Sequence, residues 1–108
     1  MGLDVFWHSE MPDLTGWNSL QRTVVEAFSD EDDILMNTVS ALPRENYPVL
    51  FGIDLYGDTI LSPRQCETAR SELREIQEWK ENQQLVRLDA LLGKCIQAPG
   101  TCVQISGD

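Results

Sequence analysis

Two apolar stripes late in the chain limit its architecture more than any other feature. Cys66, Ala69, Leu73, Ile76 and Trp79 step by three, four, three and three residues, and Leu85, Leu88, Leu92 and Cys95 by three, four and three. Such spacing gathers each set on one side of an α-helix, which must then be buried against something else. The first helix has a marked start: Ser62 can cap it, Pro63 suits the first helical position, and Gln65 can return a hydrogen bond to the cap. It is expected to run from residue 63 to about 79, with Arg64, Arg70, Arg74, Glu75 and Glu78 on its other side. The polar stretch Glu81-Asn82-Gln83-Gln84 separates the stripes, so the pair reads as an antiparallel helical hairpin.

A hairpin of this kind needs a cover, and the two ends of the chain offer one. Leu3, Val5 and Trp7 alternate with Asp4, Phe6 and His8, the period of a strand. After Pro99-Gly100 ends the second helix, residues 101–105 alternate again. Placing these strands side by side, with helices on one face, gives an α+β domain with a small sheet and about four helices. With 108 residues, 42% of them apolar, and no repeat, low-complexity tract or linker, residues 1–108 are expected to form one domain.

The segments between are read in the same way. Residues 11–17 hold Pro, Asp, Thr and Gly and suit a loop. Trp17, Leu20, Val24 and Phe28, with Ala27 beside them, predict a helix from about residue 18. Ser29 with Asp32 fits a capping box and predicts a second helix carrying Ile34, Leu35, Thr38, Val39 and Leu42, stopping before Pro43. The apolar runs at residues 47–54 and 59–61, joined through Leu55-Tyr56-Gly57-Asp58, suggest a hairpin or tight loop.

Charge narrows the range of partners. A formal net charge of −10 and a pI near 4.3 argue against direct nucleic-acid binding and against attraction to anionic lipid. The same field would speed encounter with a basic protein. No apolar run reaches the roughly 18 residues of a membrane span, and the first residues lack the pattern of a signal peptide, so a cytoplasmic protein is expected. Cys66, Cys95 and Cys102 are odd in number and form no C-x-x-C pair; they read as free thiols packed in the core.

Catalytic and metal constellations fail on spacing. His8 is the sole imidazole, so any Ser-His or Cys-His nucleophile pair would have to use it; it reads as a surface or half-buried strand residue. With three scattered cysteines it offers no zinc-ligand spacing, and glycine-rich phosphate loops are absent. Residues 49–61 superficially resemble the phosphatase loop of haloacid dehalogenases. Here, however, Asp54 and Asp58 stand four apart and the order is Gly-Asp-Thr. An EF-hand needs acids at alternate positions and a closing Glu, which this segment also lacks. Gly57 and Asp58 then shape a turn. Neither an enzymatic activity nor a cofactor or metal is expected.

Two segments remain as candidate partner-binding sites. Glu26, Asp30, Glu31, Asp32 and Asp33 follow one another with no intervening base. Asp54, Tyr56 and Asp58 combine acid with an aromatic suited to an interface. Asp30, Glu31, Asp32, Asp33, Asp54, Tyr56 and Asp58 are thus the residues expected to meet a basic protein partner.

The Gly52-to-Thr59 segment GIDLYGDT, the helix start Ser62-Pro63-Arg64-Gln65 and the C-terminal QISGD resemble a group of small uncharacterised bacterial proteins with an I-D-x-Y-G-D-T motif. That resemblance implies a compact bacterial domain and transfers no activity. In size and acidity alone the chain is similar to bacterial immunity proteins, which neutralise secreted toxins. The resulting expectation is a protein-binding module, immunity-like or antitoxin-like. The alternatives are a small enzyme or ligand-binding protein using Asp54, Tyr56 and Asp58, and a homo-oligomeric structural subunit.

Overall fold

The computed structural model describes residues 2–11 and 23–107. Strand β1 (Asp4–His8) is followed by β2 (Val24–Ser29), helix α1 (Ile34–Ser40) and a single helical turn, α2 (Pro48–Phe51). Then come β3 (Asp58–Leu61), α3 (Pro63–Arg74), α4 (Gln83–Gln97) and β4 (Cys102–Ser106). Short 3-10 turns occupy Glu31–Asp33 and Trp79–Glu81.

The sheet is antiparallel throughout, in the order β2-β1-β4-β3. The two alternating segments from opposite ends of the sequence therefore pair in its centre, Asp4 opposite Ser106 and His8 opposite Cys102. Because a strand presents alternate residues to opposite faces, Val5, Val103 and Ile105 turn to one side, and all three are fully buried. Against that side pack Leu73 of α3 and Leu85, Leu88, Leu91 and Leu92 of α4, with Leu35, Val39 and Leu50 from α1 and α2. Helices on one face of a four-stranded sheet make the α+β architecture that the stripes require.

The start of α3 follows its sequence signal. Ser62 Oγ accepts from the Gln65 backbone N–H at 3.3 Å, and the Gln65 side chain accepts from the Ser62 N–H at 2.9 Å. Asn82 caps α4 by accepting from the N–H groups of Gln84 and Leu85. Along the hairpin seam, Asp89 of α4 takes Arg70 Nε at 3.1 Å and Arg74 Nε at 3.0 Å.

Four expectations are corrected. Val24 and Phe28 lie in strand β2 and not in a helix, because β1 needs a partner on its free edge; Trp17 and Leu20 lie outside the described residues. A spacing of four fits one side of a helix and one face of a strand equally, and the β-branched pair Val24-Val25 suits the latter. Ser29 ends that strand, its hydroxyl donating to Asp4 Oδ1 at 2.8 Å. Asp30 caps α1 instead, accepting from Leu35 N–H at 2.7 Å and Met36 N–H at 2.9 Å.

Helix α3 stops at Arg74 rather than near 79, and Glu78 takes the left-handed conformation (φ 61°) that lets the chain turn into the short 3-10 segment. Of the hairpin or tight loop expected at 47–61, the hairpin fails: residues 48–51 form α2, and a tight loop at 54–59 leads into β3. Pro48 opens α2, and the buried Glu72 carboxylate of α3 accepts from the N–H groups of Val49 and Leu50. An anion at the start of a helical turn satisfies donors that have no partner within it. β3 consequently pairs with β4 and has no hairpin partner before it.

Candidate functional site

The two segments expected to bind a partner lie along the same end of the sheet but at its opposite edges. Ser29, Asp4, Ser106 and Asp58 form one row across β2, β1, β4 and β3. Three strand spacings separate the row's ends, about 14 Å.

Most of the expected acids also act within the fold. Asp30 is the α1 cap. Asp54 Oδ1 accepts from the Tyr56 N–H at 2.9 Å, and the Asp54 N–H donates to Thr59 Oγ1 at 2.9 Å, which closes the loop before β3. Gly107 is required there by close approach, since a Cβ on it would strike the Leu55 carbonyl; one on Gly57 would press on the Asp54 carboxylate. Asp58 Oδ1 accepts from Gln104 Nε2 at 3.0 Å. Asp32 and Asp33 both have φ 55°, and Tyr56 is 80% exposed. Glu26, at the other end of the acidic run, pairs with Lys94.

Glu31 leads to a feature the sequence did not announce. Its carboxylate, paired with Arg87 at 3.4 Å, stands on the rim of a groove of about 770 Å³ between α1 and the α3–α4 connection. Ile34 and Thr38 come from α1; Ile76, Gln77, Glu78, Glu81, Asn82, Gln83, Gln84 and Leu85 come from the connection and the first turn of α4. Three acids, Glu31, Glu78 and Glu81, thus meet around Ile34, Ile76 and Leu85, and among the described residues no Lys or Arg lines the groove. Gln84 is only 1% exposed, and its side-chain Oε1 has no hydrogen-bond partner among the described residues. A buried acceptor left without a donor is uncommon and unfavourable. The neighbouring amide, Asn82 Oδ1, is already engaged in capping.

The remaining polar features are internally satisfied to different degrees. His8 is fully buried, contrary to the half-exposed position expected for it. Its Nε2 donates to Gln104 Oε1 at 2.7 Å, so in the neutral ring Nδ1 accepts from the Thr23 hydroxyl at 2.6 Å. With the bond from Gln104 to Asp58, this forms one continuous chain across the sheet face opposite the helices. A smaller groove of about 540 Å³ at Trp7, Arg70, Gly93 and Lys94 offers cations that Asp89 and Glu26 already neutralise.

Cys66, Cys95 and Cys102 are free and buried. Burial, with the neighbouring Cys95 and Cys102, pushes the Cys66 thiol far up; burial and Cys95 push Cys102 to about 11. Both are therefore poor nucleophiles at neutral pH.

Partial burial raises the Asp89 carboxyl, but hydrogen bonds and charge from Arg74 and Arg70 outweigh it and leave the group below the ordinary carboxylate value. Among the described residues no cluster of three or more His, Cys, Asp or Glu could hold a metal ion, and no helix is long and apolar enough to cross a membrane.

Sequence reasoning missed Glu78, Glu81 and Gln84 as site residues. The polar stretch from Glu81 was visible as a helix connection, but its meeting with Glu31 depends on how α1 packs against α4. No family model, curated protein or solved structure matches the chain.

Proposed function

We propose that this domain is a protein-binding module that engages a basic surface on its partner. One observation carries the reading: Glu31, Glu78 and Glu81 converge on a groove with an apolar floor and no lining cation among the described residues. The net charge of −10 supports it, because a field of that sign accelerates encounter with a cationic protein. The role falls in the class of bacterial immunity or antitoxin proteins that mask a basic toxin. A cytoplasmic location belongs to the same reading, supported by three unpaired thiols.

A ligand site at Asp54, Tyr56 and Asp58 has weaker support, since Asp54 and Asp58 already accept hydrogen bonds within the fold. Binding of a fluorescent oligolysine peptide at low and moderate salt tests the proposal. Wild type is expected to bind, with affinity falling as salt rises, and combined Glu31→Gln, Glu78→Gln and Glu81→Gln substitution is expected to abolish binding. The paired variants Asp30→Asn/Asp32→Asn and Asp54→Asn/Asp58→Asn should retain more affinity. Equal binding by wild type and the groove variant would overturn the groove's role.

A further inference from the structure

We infer that the outer edge of β2 is the docking edge for an extended, basic segment of the partner, which adds to the sheet as a fifth strand antiparallel to β2. The inference rests on the basic partner proposed above and assigns it a second contact, made through backbone and independent of the groove.

The sheet order leaves β2 and β3 as edge strands, and the two differ. The Asp30 N–H donates to the Leu3 carbonyl at 2.8 Å. Backbone groups alternate in direction along a strand, so Asp30, Phe28 and Glu26 face β1, while Ala27 and Ser29 turn their N–H and C=O groups outward. Among the described residues no backbone group meets them, and both residues are exposed. The shift in register lies at the far end of the strand, where Val25 is 55% exposed, so Ala27 and Ser29 keep regular strand geometry. Residues 24–29, VVEAFS, carry neither the Lys nor the Pro that blunts an edge. β3 offers less. The bond from Gly107 N–H to Gly57 O puts Asp58 and Ile60 outward, but Ile60 is only partly exposed and the next outward N–H, at Ser62, is taken by the Gln65 side chain.

Charge selects the occupant. Residues 23–33 hold Glu26, Asp30, Glu31, Asp32 and Asp33 and no Lys or Arg; Lys94 and Arg87 pair with Glu26 and Glu31 alone. A second copy would bring the same acids and its own net charge of −10 to this edge, so like charge opposes it. A strand with alternate cations gains instead. Its residue opposite Ala27 lies on the face away from the helices, beside Ala27 and the partly buried Phe6, where an apolar side chain fits. The flanking positions fall on the other face, within reach of Glu26. Main-chain bonds then supply affinity and alternate side chains supply choice.

The test offers the full chain a heptapeptide of alternating lysine and valine at low and moderate salt, with binding followed by backbone-amide NMR and hydrogen exchange. Binding is expected to slow exchange at the Ala27 and Ser29 amides and to weaken as salt rises. Methylating every backbone nitrogen of the peptide keeps its charge and should weaken binding at least about ten-fold. The glutamate-valine counterpart should not bind. Ala27→Pro removes an outward N–H that β1 does not use, so exchange at Val103 and Ile105 should stay slow while the lysine-valine peptide binds about five-fold more weakly. The methylated peptide is compared on the wild-type chain, so that result stands whether or not Ala27→Pro folds.

Equal affinity for the plain and methylated peptides would overturn the docking edge and leave a basic partner standing. So would slowed exchange confined to Asp58 and Ile60, or a wild-type dimer that Ala27→Pro separates. Failure of both lysine peptides to bind at low salt would overturn the edge and the proposed function together.

Discussion

Asp89 and Glu78 are acids on the same helical hairpin, yet they stand in opposite electrical conditions. In the seam Asp89 is buried and gripped by two guanidinium groups. A few residues away, Glu78 and Glu81 face a groove that no cation lines among the described residues. A compensated acid is part of the fold, and removing it strands the charges around it. An exposed acid with no cation beside it contributes little to folding and stays free to meet water or a cation from outside the chain. Net charge alone would have treated the two alike.

The difference is best broken at Asp89. Asp89→Ala is expected to cost about 2–3 kcal/mol, the range for losing charge-assisted hydrogen bonds at a partly buried site. Urea unfolding measures it, and a loss under about 0.5 kcal/mol would move the seam into the class of exposed pairs.

The same contribution should depend on pH. Because the Asp89 carboxyl sits below its ordinary value in the fold, the stability it supplies is complete above its unfolded value of about 4 and is lost as pH falls through the lower folded value. Unfolding curves of wild type and Asp89→Asn should therefore differ at pH 6 and converge as the medium is acidified toward about pH 2. A gap that persists there would assign the stabilisation to packing.

The helix that carries Arg70 and Arg74 begins at Ser62. Losing its cap through Ser62→Ala should cost about 1 kcal/mol. An unchanged denaturation midpoint would mean that Pro63 and the docked hairpin hold the helix start without it.

On the groove side the expected change is smallest. Glu78→Gln with Glu81→Gln should shift stability by less than about 0.5 kcal/mol, or raise it through relief of repulsion, while weakening oligolysine binding. A clear destabilisation would place these acids with Asp89.

Much of this fold was legible because its signals are local. Ser62, Pro63 and Gln65 stand within one helical turn, and the stripes from Cys66 and Leu85 mark their buried sides without reference to the rest of the chain. What was hidden depends on partners distant in sequence. Val24 and Phe28 become strand residues because β1 lies beside them, and α2 exists where Glu72 reaches its N–H groups. Asp30 displaced Ser29 as a cap once Ser29 had been drawn to the end of a strand. The groove was least legible of all: Glu31 and Glu78 are far apart in the chain, and nothing around either one names the other.

The pairing of β1 with β4 sets a timetable for the molecule. A chain synthesised from its N-terminus makes residues 4–8 first, but their central neighbour, residues 102–106, emerges almost a hundred positions later. Until then β1 has at most β2 on one edge, and the other edge stays open to water or to another chain. The helical hairpin, built from near neighbours, can form early and shield Leu88 and Leu92, whereas the middle of the sheet must wait for contacts of long range. Newly made copies would thus be most vulnerable to edge-to-edge association in the interval before β4 arrives, and β4, inserted between β1 and β3, joins the two halves of the sheet in one step.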